Sequence, residues 1–143
     1  MGFPGEPRQL TGSCLCGAVR YTIRGPVRDI WACHCRFCRR LHSHVAAYAA
    51  CAPEDIAIED GRKLRWYRSS PSIRRGFCGK CGAQMFYAPL DGGHFSIAAG
   101  TLDEPTGLKL TLHLCTAQKG DYYAIADDVP QLAGHPRNGA GNG

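Results

Sequence analysis

Short alternations of apolar and polar residues recur along the chain. Residues 18–23 (AVRYTI), 45–51 (VAAYAAC), 63–67 (KLRWY), 72–77 (SIRRGF), 84–87 (QMFY), 95–99 (FSIAA) and 108–114 (LKLTLHL) each read as a strand. Turn residues punctuate them at 24–26 (RGP), 60–61 (DG), 70–71 (SP) and 91–93 (DGG). Residues 102–107 (LDEPTG) read as a further turn, and the one helical turn predicted lies at 36–41 (RFCRRL). Many short, closely spaced strands predict a mainly β fold. No linker, repeat or low-complexity block interrupts them, so a single domain is expected over residues 8–133. Residues 1–7 and a flexible tail at 134–143 (GHPRNGAGNG) should be poorly ordered.

A length of 143 residues suits one domain with a real core, and 44% hydrophobic with 20% charged residues is ordinary for a globular protein. The opening MGFPGEPRQL is broken by prolines and does not read as a signal peptide. No run approaches the roughly 20 apolar residues of a membrane span. A cytoplasmic location is the expectation.

Nine cysteines are hard to reconcile with a reducing compartment unless they bind metal or do thiol chemistry. Cys78 and Cys81, in CGKCG, form a zinc knuckle: two thiolates two residues apart can clasp one ion, and the glycines ease the backbone beneath it. A knuckle is half a site. Cys35 and Cys38 could complete it as an ordinary zinc ribbon, which spacing alone favours. Cys14 and Cys16 could complete it instead, leaving Cys33, Cys35 and Cys38 together as three ligands with a vacancy.

The formal charge of +5 changes little about partners. If four thiolates hold one zinc and three another, it falls to about +2. Arg36, Arg39 and Arg40 then either balance sulfur or clamp substrate carboxylates through bidentate bonds. The chain has no long basic tail, which argues against nucleic acid.

The runs GSCLCGAVRY, CHCRFCRR, FCGKCGAQMFY, AAGTLDEP and KGDYYAIADDVP, in that order, resemble the glutathione-dependent formaldehyde-activating enzyme family, which also contains centromere protein V. The resemblance covers about residues 10–132. It implies a small zinc-binding β fold, with several short antiparallel sheets around a structural four-cysteine zinc. It implies Cys14, Cys16, Cys78 and Cys81 as structural zinc ligands, and Cys33, Cys35 and Cys38 as ligands of a second, catalytic zinc. The chain departs from the family pattern at Ser43, which stands where a glycine is usual, and at Tyr122, where many members carry Trp.

A closed four-thiolate site holds a fold, whereas three protein ligands leave one position for water or substrate. The expected activity is that of a zinc-dependent carbon–sulfur lyase or synthase. Its substrate would be a glutathione–aldehyde adduct of the S-hydroxymethylglutathione type, or a related small thiol and aldehyde, with glutathione as co-substrate. His42 or His44 could be the fourth ligand or an acid–base group; Tyr122 and Tyr123 could line the pocket. His34 reads as a solvent-facing spacer, His113 as structural, and Asp127 and Asp128 as parts of a closing turn. Cys51 and Cys115 read as buried, inert thiols. The competing functions are a non-catalytic zinc module, for nucleic acid or protein, and a thiol or zinc sensor. Monomer and homodimer are both open.

Overall fold

The computed structural model describes residues 5–136. The poor order expected of the first residues and of the tail therefore falls, at 1–4 and 137–143, outside the described residues.

Among the described residues there are nine strands and one α-helix. In chain order they are β1 (Pro7–Ser13), β2 (Arg20–Cys33), α1 (Arg36–His42), β3 (Ala46–Cys51), β4 (Ile56–Glu59), β5 (Leu64–Ser70), β6 (Ile73–Cys78), β7 (Gln84–Pro89), β8 (Phe95–Ala98) and β9 (Leu110–Leu114). The expected mainly β fold is the observed one. The strand order is β1-β2-β3-β8-β7-β6-β5, with β4 and β9 also paired to β2. β1 and β4 run antiparallel to β2, and β5 through β8 pair antiparallel in sequence. β9 differs: it runs parallel to the end of β2.

The chain divides into two compact units, residues 1–28 with 49–107 and residues 29–48 with 108–143. The first has a core of Val19, Tyr21, Ile23, Met85, Phe86, Tyr87 and Ile97, each almost wholly removed from water. Such side chains contribute about 1.5–3 kcal/mol each on burial. Phe86 is the centre of an aromatic cluster, with Tyr21 edge-on at 5.5 Å and Phe95 at 5.1 Å between ring centroids. Trp66 stacks on Phe86 at 6.2 Å, and Gly76 lies so close beneath both rings that a side chain there would crowd them.

β2 runs straight through the RGP segment read as a turn. Gly25 makes this possible: its φ of +150° suits glycine, and a β-carbon there would strike the Asp55 carboxylate. Pro26 sits opposite Pro7, so neither missing N–H costs a ladder bond within β2 and β1. β1 and β4 were not visible in the pattern. In β1 Leu10 is the one large apolar side chain facing in, and Gly12 is buried because its backbone packs directly on the Tyr21 ring. β4 has only four residues.

In the second unit, Cys33 and Leu114 are adjacent partners of the parallel β2–β9 pairing and both are fully buried. The parallel pairing sets Ala32 beside His113, and the His34 N–H donates to the Leu114 carbonyl at 3.0 Å. Residues after β9 return to it: the His113 N–H donates to the Pro130 carbonyl, and the Cys115 N–H to that of Gly134.

Candidate metal centres

In the first unit, the sulfurs of Cys14, Cys16, Cys78 and Cys81 all lie within 4.8 Å of one another. Cys14 and Cys16 sulfurs are 3.6 Å apart, and those of Cys16 and Cys78 are 3.8 Å apart. A tetrahedral zinc with bonds of about 2.3 Å asks for sulfurs about 3.8 Å apart, so the donor set fits that ion. Cys14 and Cys16, and not Cys35 and Cys38, are the sulfurs grouped with those of Cys78 and Cys81. Local backbone holds the sulfurs: the N–H groups of Lys80 and Cys81 both donate to Cys78 Sγ at 3.4 Å, and Val19 N–H to Cys14 Sγ at 3.3 Å.

The four thiols are not equivalent. Cys81 is lowered to about 6, first by the Ala83 backbone N–H and then by that of Cys16. Cys16 is raised to about 11; the Ala18 N–H opposes this, but burial and the three neighbouring thiols outweigh it. Protein groups alone thus favour part of the cluster as thiolate, and a cation is needed for the rest.

In the second unit, Cys33, Cys35 and Cys38 bring three buried sulfurs within 4.8 Å of one another. Cys33 ends β2 and Cys35 is the N-cap of α1: its sulfur accepts the Cys38 N–H at 3.2 Å. Ionising Cys38 is opposed by Cys33 first, then Cys35, then burial, so its thiol is pushed far above the ordinary cysteine range. Three thiolates in this space require a cation, and the sulfur donors suit zinc.

Cys115 is buried, as expected, but it is not remote from this chemistry. Its thiol is pushed up to about 12 by burial and then by Cys33, and His135 Nδ1 stands 3.5 Å from its sulfur. It does not join the group of three mutually close sulfurs.

α1 carries the predicted arginines. Arg36 and Arg40 are exposed, and Arg39 is half-buried with an Nε that has no hydrogen-bond partner among the described residues. Ser43 closes α1 with φ +68°, the left-handed conformation that favours glycine. His42 is engaged at both ring nitrogens, Nδ1 with the Cys38 carbonyl at 3.0 Å and Nε2 with the Tyr48 hydroxyl at 2.7 Å. His44 Nδ1 hydrogen-bonds the Tyr122 hydroxyl, and its ring lies 4.7 Å from that of Tyr123. Tyr122 is 63% exposed. A β-carbon on Gly120 would land on its ring.

Three residues missed in the sequence, His34, His113 and Asp127, join Tyr123 in one hydrogen-bonded chain. His34 is buried and not a solvent-facing spacer: Nε2 meets His113 Nδ1 at 2.9 Å and Nδ1 meets the Tyr123 hydroxyl at 2.5 Å. His113 Nε2 reaches both Asp127 oxygens, at 3.0 and 3.1 Å. Asp127 also accepts the Val129 N–H, so it does belong to a closing turn. Burial is the main cause that lowers His34, with the His113 charge next; the Asp127 carboxyl is lowered chiefly by its bond from His113. A buried histidine always needs partners, which is the signal His113 offered. The bridge between His113 and Gln131 that brings Asp127 near is non-local and invisible in spacing.

A small β protein with one four-sulfur and one three-sulfur cluster is the class that this geometry defines. The model of the glutathione-dependent formaldehyde-activating enzyme family matches residues 9–118, and the chain belongs to that family. An uncharacterized lyase of Schizosaccharomyces pombe is 25% identical over 117 residues, covering 81% of this chain and 85% of that protein. A crystal structure of a Rhodobacter sphaeroides protein shares the fold, with a TM-score of 0.57 at 21% identity over 85% of this chain and 99% of that one. Among the described residues, no helix is long and apolar enough to cross a membrane.

Proposed function

We propose that the protein is a zinc-dependent carbon–sulfur lyase or synthase whose substrate is a glutathione hemithioacetal of the S-hydroxymethylglutathione type. The observation that carries this reading is the group of Cys33, Cys35 and Cys38: three buried sulfurs that all lie within 4.8 Å of one another and could hold a metal ion. Family membership supports it. Cys14, Cys16, Cys78 and Cys81 would hold a structural zinc, and the triplet a catalytic one. Bound at the triplet, zinc would keep a substrate sulfur ionised at neutral pH, as nucleophile in one direction and leaving group in the other.

In cleavage the carbon–sulfur bond breaks with its electron pair on sulfur. The hydroxyl carbon becomes a carbonyl, and the hydroxyl proton ends on the released thiol. The chain's own part is largely to bind and orient. Arg39 is half-buried, with Arg36 and Arg40 exposed beside it on the same short helix. These three suit the two carboxylates of glutathione. Tyr122, His44 and Tyr123 form an aromatic wall on the same unit.

The test pairs metal analysis with aldehyde release from preformed hemithioacetal. Wild type should hold two zinc ions and accelerate release. Cys35→Ser should lose one ion and the acceleration while keeping its fold. A wild-type protein that leaves the uncatalysed rate unchanged sinks the reading.

A further inference from the structure

The first unit carries a cavity of about 350 Å³ whose walls belong to neither sulfur cluster. That volume suits a small ligand. Thr11 and Ser13 of β1, Arg20 and Thr22 of β2 and Glu59 of β4 line it, with Asp103 from the segment after β8. The strand pairing explains why they meet. Thr11 stands opposite Thr22, Ser13 opposite Arg20, and Arg20 opposite Glu59. Directly opposed residues point the same way, so these five side chains share one face of β1, β2 and β4.

Arg20 and Glu59 are opposite charges on cross-strand neighbours, an arrangement that gains energy when the two groups pair. Here they do not pair. Arg20 Nε donates to the Gly17 carbonyl at 3.1 Å, and among the described residues the Glu59 carboxylate has no hydrogen-bond or ion-pair partner. Asp103 is anchored twice to Thr11: its N–H donates to the Thr11 carbonyl at 2.9 Å, and its carboxylate accepts the Thr11 hydroxyl at 2.7 Å. One guanidinium and two carboxylates thus face one cavity without neutralising one another. The terminal nitrogens of Arg20 remain for a carboxylate, which a guanidinium binds with two parallel bonds. The carboxylates of Glu59 and Asp103 can only accept when ionised, so they call for a cationic donor.

We propose that this cavity binds the zwitterionic head of an α-amino acid, with its carboxylate on Arg20 and its ammonium between Glu59 and Asp103. The inference is independent of the lyase reading. In such a head a single carbon separates the two charges. That close spacing matches an acid and a base on directly opposed residues, whose β-carbons stand about 4.5–5.5 Å apart. A simple amine or a simple carboxylate would leave one side of the cavity unanswered. Two kinds of molecule present this head: a free amino acid and the γ-glutamyl end of glutathione.

Isothermal titration calorimetry on the zinc-loaded protein tests this. L-serine should bind with a Kd of about 1 mM or tighter. N-acetyl-L-serine lacks the ammonium and L-serinamide lacks the carboxylate, so each should bind at least about 10-fold more weakly, the worth of one charged hydrogen-bonded contact. Arg20→Gln and Glu59→Gln should each weaken L-serine by a similar factor, with zinc content and circular dichroism unchanged. Cys35→Ser should bind it as wild type does. S-methylglutathione, whose sulfur is blocked, decides the source: Arg20-dependent binding tighter than that of L-serine makes it glutathione, and weaker binding makes it a free amino acid. Absence of L-serine binding overturns the proposal. So does L-serinamide or N-acetyl-L-serine binding as tightly as L-serine, which would mark a plain cation or anion site. Binding that neither Arg20→Gln nor Glu59→Gln weakens overturns it as well.

Discussion

His42 Nε2 lies 2.7 Å from the Tyr48 hydroxyl while its Nδ1 lies 3.0 Å from the carbonyl oxygen of Cys38. The carbonyl can only accept, so Nδ1 carries the proton and, in the neutral ring, Nε2 accepts from Tyr48. The lone pair that a metal would need is therefore committed. His42→Gln should retain both metal ions and lose about 1–2 kcal/mol of stability, the worth of two hydrogen bonds. Metal analysis beside urea denaturation checks this. Loss of one ion would restore His42 as a ligand.

Ser43 adopts φ +68° at the end of α1. A left-handed residue with a β-carbon costs about 1–2 kcal/mol, part of which glycine returns through its greater freedom when unfolded. Ser43→Gly should raise stability by about 1 kcal/mol in thermal unfolding. An unchanged or lower midpoint would show that the serine hydroxyl contributes a compensating bond.

Removing metal should separate the two clusters. Cys14, Cys16, Cys78 and Cys81 link β1's end to the end of β6, so an ion held between them would be part of folding free energy. Cys81→Ser should therefore unfold the protein or leave it insoluble, while Cys35→Ser keeps a native circular dichroism spectrum. Graded chelation should remove one ion with little spectral change and the second together with the fold.

Asp127 has its carboxyl lowered by the bond from His113. A group depressed in the folded state stabilises above its unfolded value and loses that contribution as pH falls through the folded one. The stability difference between wild type and Asp127→Asn should be complete at pH 6 and shrink progressively below about pH 4 as pH falls through the lowered folded value. Urea midpoints of both proteins across that range give the difference directly. A gap that does not shrink at all as pH falls below about 4 would mean that Asp127 acts by packing instead.

β6 was legible because Ile73 and Arg75 face inward at the strand period, while β7 and β8 are short buried runs, Met85–Ala88 and Phe95–Ile97, that stand out between turn residues. β1 was not, since Leu10 is alone and Gly12 is buried through its backbone. The run of β2 past Gly25 was hidden because glycine followed by proline signals a turn in most contexts, and here the Asp55 carboxylate beside it decides otherwise. The cysteine clusters were legible from spacing and resemblance together. The His34–His113–Asp127 chain was not, because the parallel pairing of β9 with β2 and the return of the chain at Gln131 assemble it from three separate segments.

Gly120 gives the exposed aromatic wall an adjustable edge. A single added methyl group there would collide with the Tyr122 ring, so one hydrogen atom of the main chain sets where that ring lies, and under the proposed function the breadth of adducts admitted would depend on it. An enzyme engineer wishing to widen or narrow the range of aldehydes would begin with alanine at that position, before touching any group that performs chemistry.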